Sequence, residues 1–292
     1  MSDNVPQVSI VIVTHDSLPA LADCLQALRE AVESMSCELI LVDNSSADNS
    51  ISEAQRWFPE VRILRNDRNR GFAAACNQGA ATSRGEYLFF LNPDVVIDPG
   101  AIGSLLAAGQ SQSNAGLVSG RLRNTDGSFQ ATCRNFPTVG NMIFSRSSAP
   151  GRLFKRNGAA SGRYTLPDYG RTTEVPAVAA TMVVVRRDLF EQTGGFDSRF
   201  FLYMEDTDLS LRLHQNGRVN LLVPDAGGVH RWGEGSRAGR LQRLFRHHVS
   251  VWRYFLKHFP NGFSVVLLPL LLTVNFIWFA MLPKGKRGGL SS

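Results

Sequence analysis

Residues 89–97 read Phe89-Phe90-Leu91-Asn92-Pro93-Asp94-Val95-Val96-Ile97, FFLNPDVVI. Apolar residues flank an amide, a proline and an acid. Proline has no N–H to give to a sheet ladder, so a central strand must end before Pro93. The apolar run is then a rigid post, and the turn after it holds Asp94 at its tip. The alternative for Asp94 alone is a turn or N-cap aspartate ahead of Asp98-Pro99-Gly100.

Upstream, the same grammar repeats. Residues 8–13 are a short β-branched run suited to a fully buried strand, and Leu21, Cys24, Leu25, Leu28 and Val32 follow at helical spacing. Residues 38–42 form a second strand that stops at Asp43-Asn44-Ser45-Ser46. A helix over about 48–58, a strand over 61–64, a helix over 72–82 and a strand over 87–91 complete the series. This βαβαβαβ order predicts a parallel, doubly wound sheet with helices on both faces. Such sheets bind ligands beyond the carboxyl ends of their strands.

From about Asn124 to Pro176 the chain is rich in Gly, Ser, Arg and Pro, with a hairpin turn signal at Asn124-Thr125-Asp126-Gly127-Ser128. The rest of that stretch reads as a lid or acceptor-binding loop. Order resumes with a strand over 177–185, a short helix, Gly194-Gly195-Phe196-Asp197, a helix over about 206–215 and a strand over 219–223.

Charge is unevenly placed. Residues 1–234 carry 22 Lys and Arg against all 25 Asp and Glu, a balance of −3, whereas residues 235–292 carry nine basic and no acidic residues. A nucleic-acid protein would carry its positive patch on the folded domain, so a nucleic-acid partner is not expected. The basic tail also holds the longest apolar run, which points to a membrane surface. Cys24, Cys37, Cys76 and Cys133 have no metal or redox spacing and read as buried free thiols. The N-terminal MSDNVPQ has no secretory pattern.

Three acidic features fall at element ends: Asp43, Asp94, and the cluster Glu205-Asp206-Thr207-Asp208. Acids in a first helical turn suit the helix dipole without further purpose. Here, however, Phe200-Phe201-Leu202-Tyr203-Met204 leads straight into them, the pattern of a carboxylate cluster at an apolar pocket rim. Asp43 has an Asx-turn alternative, and His230 a structural one.

Taken in order, Val8-Ser9-Ile10-Val11-Ile12-Val13-Thr14-His15, Leu41-Val42-Asp43-Asn44-Ser45-Ser46, Asn69-Arg70-Gly71-Phe72-Ala73-Ala74-Ala75-Cys76-Asn77-Gln78-Gly79, Asn92-Pro93-Asp94, Gly194-Gly195-Phe196-Asp197, Glu205-Asp206-Thr207-Asp208 and His230 resemble the family 2 glycosyltransferases. The Asn69–Gly79 stretch and the Asn-Pro-Asp turn are most similar to the bacterial rhamnosyltransferase branch. The resemblance implies the GT-A nucleotide-sugar-binding fold, α/β with a Rossmann-like, mostly parallel sheet. It implies an inverting, metal-dependent transferase, with dTDP-L-rhamnose as donor and a lipid-linked or cell-surface glycan acceptor. Where the fold usually carries Asp-x-Asp, the first acid here is Asn92, which leaves Asp94 as the main carboxylate ligand. By resemblance Asp94 and His230 would hold Mg2+ or Mn2+. Asp206, with Glu205 beside it, would be the base, and Asp208 would position the acceptor. Thr14, Asp43, Asn69, Gly71, Asn77 and Asn92 would line the donor pocket. Another donor, such as a UDP-hexose, and a non-catalytic nucleotide-sugar scaffold are the alternatives. A dinucleotide oxidoreductase is disfavoured, because Thr14-His15-Asp16-Ser17-Leu18-Pro19 has no glycine to admit a pyrophosphate.

The expected division is a catalytic domain over 1–240 and a membrane-associated helical tail over 241–292. In the tail, Leu241, Leu244, Phe245, Val249, Trp252, Phe255, Leu256 and Phe259 fall near one helical face, interleaved with Arg240, Arg243, Arg246, Arg253 and Lys257. Residues 263–282 follow without a charge, about 30 Å long as a helix. Pro269, Thr273 and Asn275 interrupt that run, and Lys284, Lys286 and Arg287 follow it. A spanning, re-entrant or interfacial segment all fit, on the cytoplasmic face of the inner membrane.

Overall fold

The computed structural model describes residues 5–138, 170–231, 233 and 239–281. Residues 139–169, most of the lid or acceptor loop expected within 124–176, and the basic residues after 281 lie outside them. Strands β1 (Val8–Thr14), β2 (Cys37–Asp43), β3 (Arg62–Arg65) and β4 (Tyr87–Leu91) pair in the order β3-β2-β1-β4, all parallel. Their inner residues are Val, Ile, Leu and Phe on both faces because both faces are covered. Helices α1 (Ala20–Ala31), α2 (Ser50–Trp57) and α4 (Ala101–Ser111) cover one side through Leu21, Leu25, Leu28, Ala54, Ile102 and Leu105. Helices α3 (Phe72–Thr82), α5 (Arg187–Gln192) and α6 (Glu205–Gln215) cover the other through Ala75, Cys76, Phe190, Leu209 and Leu213.

Beyond β4 the sheet is mixed, which corrects the mostly parallel expectation. It continues β10-β6-β11-β5, with β8 (Thr173–Val175) on β11. Strand β10 (Met182–Arg186) runs antiparallel to both β4 and β6 (Ala115–Arg123), and β5 (Val95–Ile97) runs antiparallel to β11. The single strand expected over 177–185 is two. Ala177–Val178 (β9) pairs with Cys133–Arg134 (β7) in a separate ladder, and Ala179–Thr181 turn the chain into the main sheet. Strand β11 (Val219–His230) continues past Val223 through Pro224. A register shift between Val223 and Gly227 takes the proline out of the ladder. Gly120 admits the bulge, since a Cβ there would lie 2.1 Å from the Ala226 carbonyl oxygen.

The tail is not a separate unit from its first residue. Helix α7 (Arg240–His258) buries Leu244, Val251, Tyr254 and Phe255 against Phe200, Met204 and Leu211. An ionic clamp fixes its last turn. Asp208, fully buried, accepts from His258 Nε2 (2.8 Å) and Arg212 Nε (2.8 Å), and Lys257 Nζ lies 2.6 Å from Asp208 and 2.8 Å from Asp197. Burial opposes the charge on Asp208, but His258, Arg212 and Lys257 more than offset it and hold the carboxyl below its ordinary range. Asp208, expected to position an acceptor, therefore faces the protein and anchors α7.

Asp208→Asn should lower the urea midpoint by an amount corresponding to about 3 kcal/mol, because it strands buried cations. An unchanged midpoint with a raised acceptor KM would return Asp208 to the acceptor site.

Candidate active site

Strand register gathers the candidate residues at one edge. Thr14 pairs with Asp43 at the carboxyl ends of β1 and β2, and Ile12 pairs with Leu91 on β4. Asn92–Asp94 thus emerge beside the ends of β1 and β2. Val95 pairs with His230, which brings the end of β11 to the same turn. Met182 pairs with Leu91, and Asn92 donates its N–H to the Thr181 carbonyl (2.9 Å), so the entry to β10 joins them.

Asp94 and His230 are both buried, with His230 Nε2 3.2 Å from Asp94 Oδ1. The other ring nitrogen, Nδ1, lies 2.8 Å from Gln130 Oε1. Gln130 Nε2 donates to Asn124 Oδ1 (2.6 Å) and to the His230 carbonyl (3.0 Å), so its amide oxygen is what meets the ring. In the neutral ring Nδ1 is then the donor, and Nε2 turns its lone pair toward Asp94. A lone pair facing a carboxylate oxygen calls for a proton or a cation between them. The pair fits a divalent ion: the donor atoms suit Mg2+ or Mn2+, and their separation is near the ~3 Å between adjacent ligands at ~2.1 Å from an octahedral centre. Among the described residues no group of three or more His, Cys, Asp or Glu is placed to hold a metal ion. The remaining positions would fall to a diphosphate and water.

Asp43 is fully buried. Its Oδ1 accepts the Ser46 N–H (3.0 Å), while Oδ2 accepts no hydrogen bond among the described residues and has Arg65 Nε at 3.7 Å. Asn92 Oδ1 and His15 Nδ1 are likewise buried without a hydrogen-bond partner there. Unmet buried polar atoms along one strand edge are what a polar ligand would satisfy. Thr14 is buried, with its hydroxyl 3.2 Å from the Ser50 hydroxyl.

Three of the expected donor-pocket residues are engaged within the fold. Asn69 Oδ1 accepts the Gly71 N–H (2.9 Å), an Asx turn. Gly71, at φ 87°, makes its close approach to Phe201: an added Cβ would lie 2.5 Å from the Phe201 carbonyl oxygen, which also accepts the Phe72 N–H (2.8 Å). Asn77 grips the Phe196 backbone at both ends of its amide, Nδ2 donating to the carbonyl (2.6 Å) and Oδ1 accepting the N–H (2.9 Å). Asn44 and Asn66, both buried, and the half-buried Gln78, to none of which sequence reasoning gave a role, link the end of β2 to this loop through their amides.

The acidic pair opens α6 after two consecutive left-handed residues, Tyr203 (φ 69°) and Met204 (φ 70°). Two side chains in that conformation are costly, about 1–3 kcal/mol each, and are held by the packing of Phe200 and Met204 against α7. Asp206 has all its visible partners in place. Oδ1 accepts from the Thr207 N–H (2.6 Å) and hydroxyl (3.1 Å); Oδ2 accepts from Arg134 Nη2 (2.6 Å) and the Ala180 N–H (3.3 Å). Arg134 and Gln130 were not anticipated. Both sit in a Gly- and Arg-rich stretch that reads as loop, and β7 is too short to signal a strand. Glu205 differs sharply from its neighbour. Burial and the adjacent Asp206 push its carboxyl up to about 8, and Oε2 has no hydrogen-bond partner among the described residues. A cavity of about 250 Å³ lined by Glu86, Tyr87, Gln112 and Arg186 sits at the opposite strand ends, away from this chemistry.

Comparisons with known proteins bear on the arrangement. The profile described as "Glycosyl transferase family 2" matches residues 9–194. The chain is 31% identical over 265 residues to the N-acetylglucosaminyl-diphospho-decaprenol L-rhamnosyltransferase of Mycobacterium tuberculosis, across 86% of this chain and 84% of that protein. It is 28% identical over 239 residues to the O-antigen biosynthesis protein RfbC of Myxococcus xanthus, across 80% of this chain and 18% of that one. Its fold matches the mannosyltransferase PcManGT of Pyrobaculum calidifontis, solved with GDP-Man and Mn2+, at a TM-score of 0.59 and 17% identity, over 95% of this chain and 75% of that one. At that identity the likeness is one of fold.

The state of Glu205 has a pH signature. A carboxyl raised in the folded state contributes stability below its unfolded value, and that contribution is lost as pH rises through the folded value. The wild-type thermal midpoint should therefore fall between about pH 4.5 and 8 more steeply than that of Glu205→Gln. Parallel curves would contradict a protonated Glu205.

Proposed function

The chain belongs to glycosyl transferase family 2, and on that premise we propose that it is an inverting, metal-dependent transferase that moves L-rhamnose from dTDP-L-rhamnose to a lipid-linked acceptor. The observation that carries the chemistry is the convergence of Asp43, Asp94 with His230, and Asp206 on one strand edge. The 31% identical mycobacterial relative, an L-rhamnosyltransferase acting on a decaprenol diphosphate-linked sugar, supports the L-rhamnosyl group and the acceptor class.

In this reading Asp43 Oδ2 accepts the N3–H of the pyrimidine beyond β2, with Thr14 beside it and Asn92 toward the sugar diphosphate. Asp94 and His230 would hold the divalent ion, which would neutralise charge on the diphosphate leaving group. Asp206 takes the proton of the acceptor hydroxyl on the face opposite the diphosphate. Burial and the neighbouring Asp206 raise the Glu205 carboxyl, whereas Asp206 has donors on both oxygens, which favours Asp206 between two adjacent acids. Arg134 now holds Asp206 Oδ2, and the acceptor hydroxyl would take its place there. Asn69, Gly71 and Asn77 serve the pocket indirectly, by fixing the loop that borders it. A lipid-linked acceptor places the enzyme at the cytoplasmic face of the inner membrane, where its donor is soluble.

Nucleotide diphosphate release should be fastest from dTDP-L-rhamnose among dTDP-, UDP- and GDP-sugars, and should require Mn2+ or Mg2+. Asp206→Asn should bind dTDP as well as wild type by calorimetry, yet lose about 10²–10⁴-fold in transfer. Faster release from a UDP-hexose would replace the donor, and retained turnover would remove Asp206 from the base role. Release from no donor would favour the scaffold.

A further inference from the structure

The apolar run after α7 forms a π-helical turn (Phe263–Leu267) continuing into α8 (Leu268–Met281). By length and composition residues 263–281 are able to cross a membrane. Its packing tells a different story. Trp252 Nε1 donates to the Ser264 carbonyl (3.0 Å), Asn275 Nδ2 meets His248 Nε2 (3.1 Å), the Phe276 ring lies 6.2 Å from Phe245, and the Arg240 guanidinium lies 6.0 Å from the Phe279 ring centroid. As numbers rise along α8, their partners fall along α7. The two helices are antiparallel neighbours along nearly their whole lengths.

The Asn275 contact is chemically defined. His248 Nδ1 lies 2.9 Å from the Leu244 carbonyl, so Nδ1 carries the proton and Nε2 accepts from the Asn275 amide. Asn275, a polar residue within the apolar run, thus marks the face of α8 turned toward α7, along with the buried Leu268 and Phe279. The opposite face is broad and apolar: Val266, Leu270, Val274, Ile277, Trp278 and Met281 are exposed on it, with Leu267 and Leu271 at its edge, and Val265 of the π-helical turn is exposed as well.

This hairpin constrains how a membrane can be met. Helix α7 is clamped to the catalytic unit by Asp208 and carries Arg240, Arg243, Arg246, Arg253 and Lys257. Helix α8 cannot cross a bilayer while paired with α7 unless those cations and the body of the enzyme follow it into hydrocarbon. The outer face can be buried without that penalty if α8 lies flat. The surrounding charge suits an anionic surface, since residues 235–292 hold nine basic and no acidic residues, with Lys284, Lys286 and Arg287 just after α8. We propose that the α7–α8 hairpin is a one-sided membrane seat, in which α8 lies in the plane of an anionic bilayer with its outer face at the headgroup–acyl boundary and does not span it. This deepens the membrane reading above and is independent of the donor and of the acid–base assignments. The seat adjoins the site, because Ser250 of α7 donates to the Leu202 carbonyl (2.8 Å), three residues before Glu205.

The test uses the full chain with vesicles of phosphatidylcholine alone or with phosphatidylglycerol added. Nitroxide labels are placed at Val266→Cys, Val274→Cys and Met281→Cys in turn, and their depth is read by oxygen and nickel-chelate accessibility. The expected result is binding to anionic vesicles, with all three labels at one shallow depth. Leu270→Glu with Val274→Glu should weaken vesicle binding about a hundredfold or more, while donor hydrolysis by water stays at the wild-type rate. A label at 274 much deeper than those at 266 and 281 would mean a spanning helix and overturn the proposal. So would absence of vesicle binding, with or without a dimer covering that face by light scattering. If vesicles bind as expected but no donor is hydrolysed, the seat stands and the transferase reading fails.

Discussion

The arrangement of the candidate site depends on the register of β1 between β2 and β4. Val8 lies opposite both Cys37 and Tyr87, so the three strands run in phase, and the carboxyl ends of β1 and β2 come out level at Thr14 and Asp43. Because β4 ends at Leu91 opposite Ile12, the Asn92-Pro93-Asp94 turn starts where β1 and β2 still have two residues to run. That offset starts the turn that carries Asp94 before the ends of β1 and β2. A slip of one residue would exchange the two buried faces of β1, moving Val8, Ile10 and Ile12 out of one helix layer and Val11 and Val13 out of the other. The apolar residues on both faces of β1, all but Val13 buried, make such a slip costly.

Around this edge the other elements act as clamps. The Asn69–Gly71 loop takes the Phe201 backbone, Asn77 takes Phe196, and Arg212 donates to the carbonyls of Thr193 (2.5 Å) and Gly195 (2.7 Å). Together they fix the segment that enters α6. Tyr203 and Met204 are then forced into left-handed conformations, and the helix begins with Asp206 turned toward Ala180 and Arg134. Side by side in sequence, the two acids have opposite environments. One has charged and amide donors on both oxygens, and the other is buried against apolar packing and a like charge. That difference separates their chemistry.

Much of this was legible in the sequence, for physical reasons. Strands β1 to β4 and helix α3 announce themselves because a strand covered on both faces must be continuously apolar, and because Pro93 and the polar Asp43-Asn44-Ser45-Ser46 stop such runs cleanly. The convergence of Asp43 and Asp94 follows from parallel topology alone. What could not be read were the antiparallel insertions. Strand β10 looks like one run with β9, since the break at Ala179–Thr181 is made by hydrogen bonds from distant partners, Thr132 and Asn92. Nor does a pattern distinguish an asparagine that meets a ligand from one that grips a backbone, as Asn77 does. Asp208 misled for the same reason: an acid in a first turn looks alike whether it faces solvent or, as here, a lysine and a histidine fifty residues on.

The central claim is that one donor site runs from Asp43 to the Asp94–His230 pair. A crystal structure of the protein with dTDP and Mn2+, with anomalous data collected above the manganese edge, tests it most directly. The account predicts one manganese peak bound by Asp94 and His230 Nε2, with the diphosphate completing its shell and thymine N3 on Asp43 Oδ2. A manganese peak away from that pair, or a thymine base seated elsewhere than at Asp43, would contradict it.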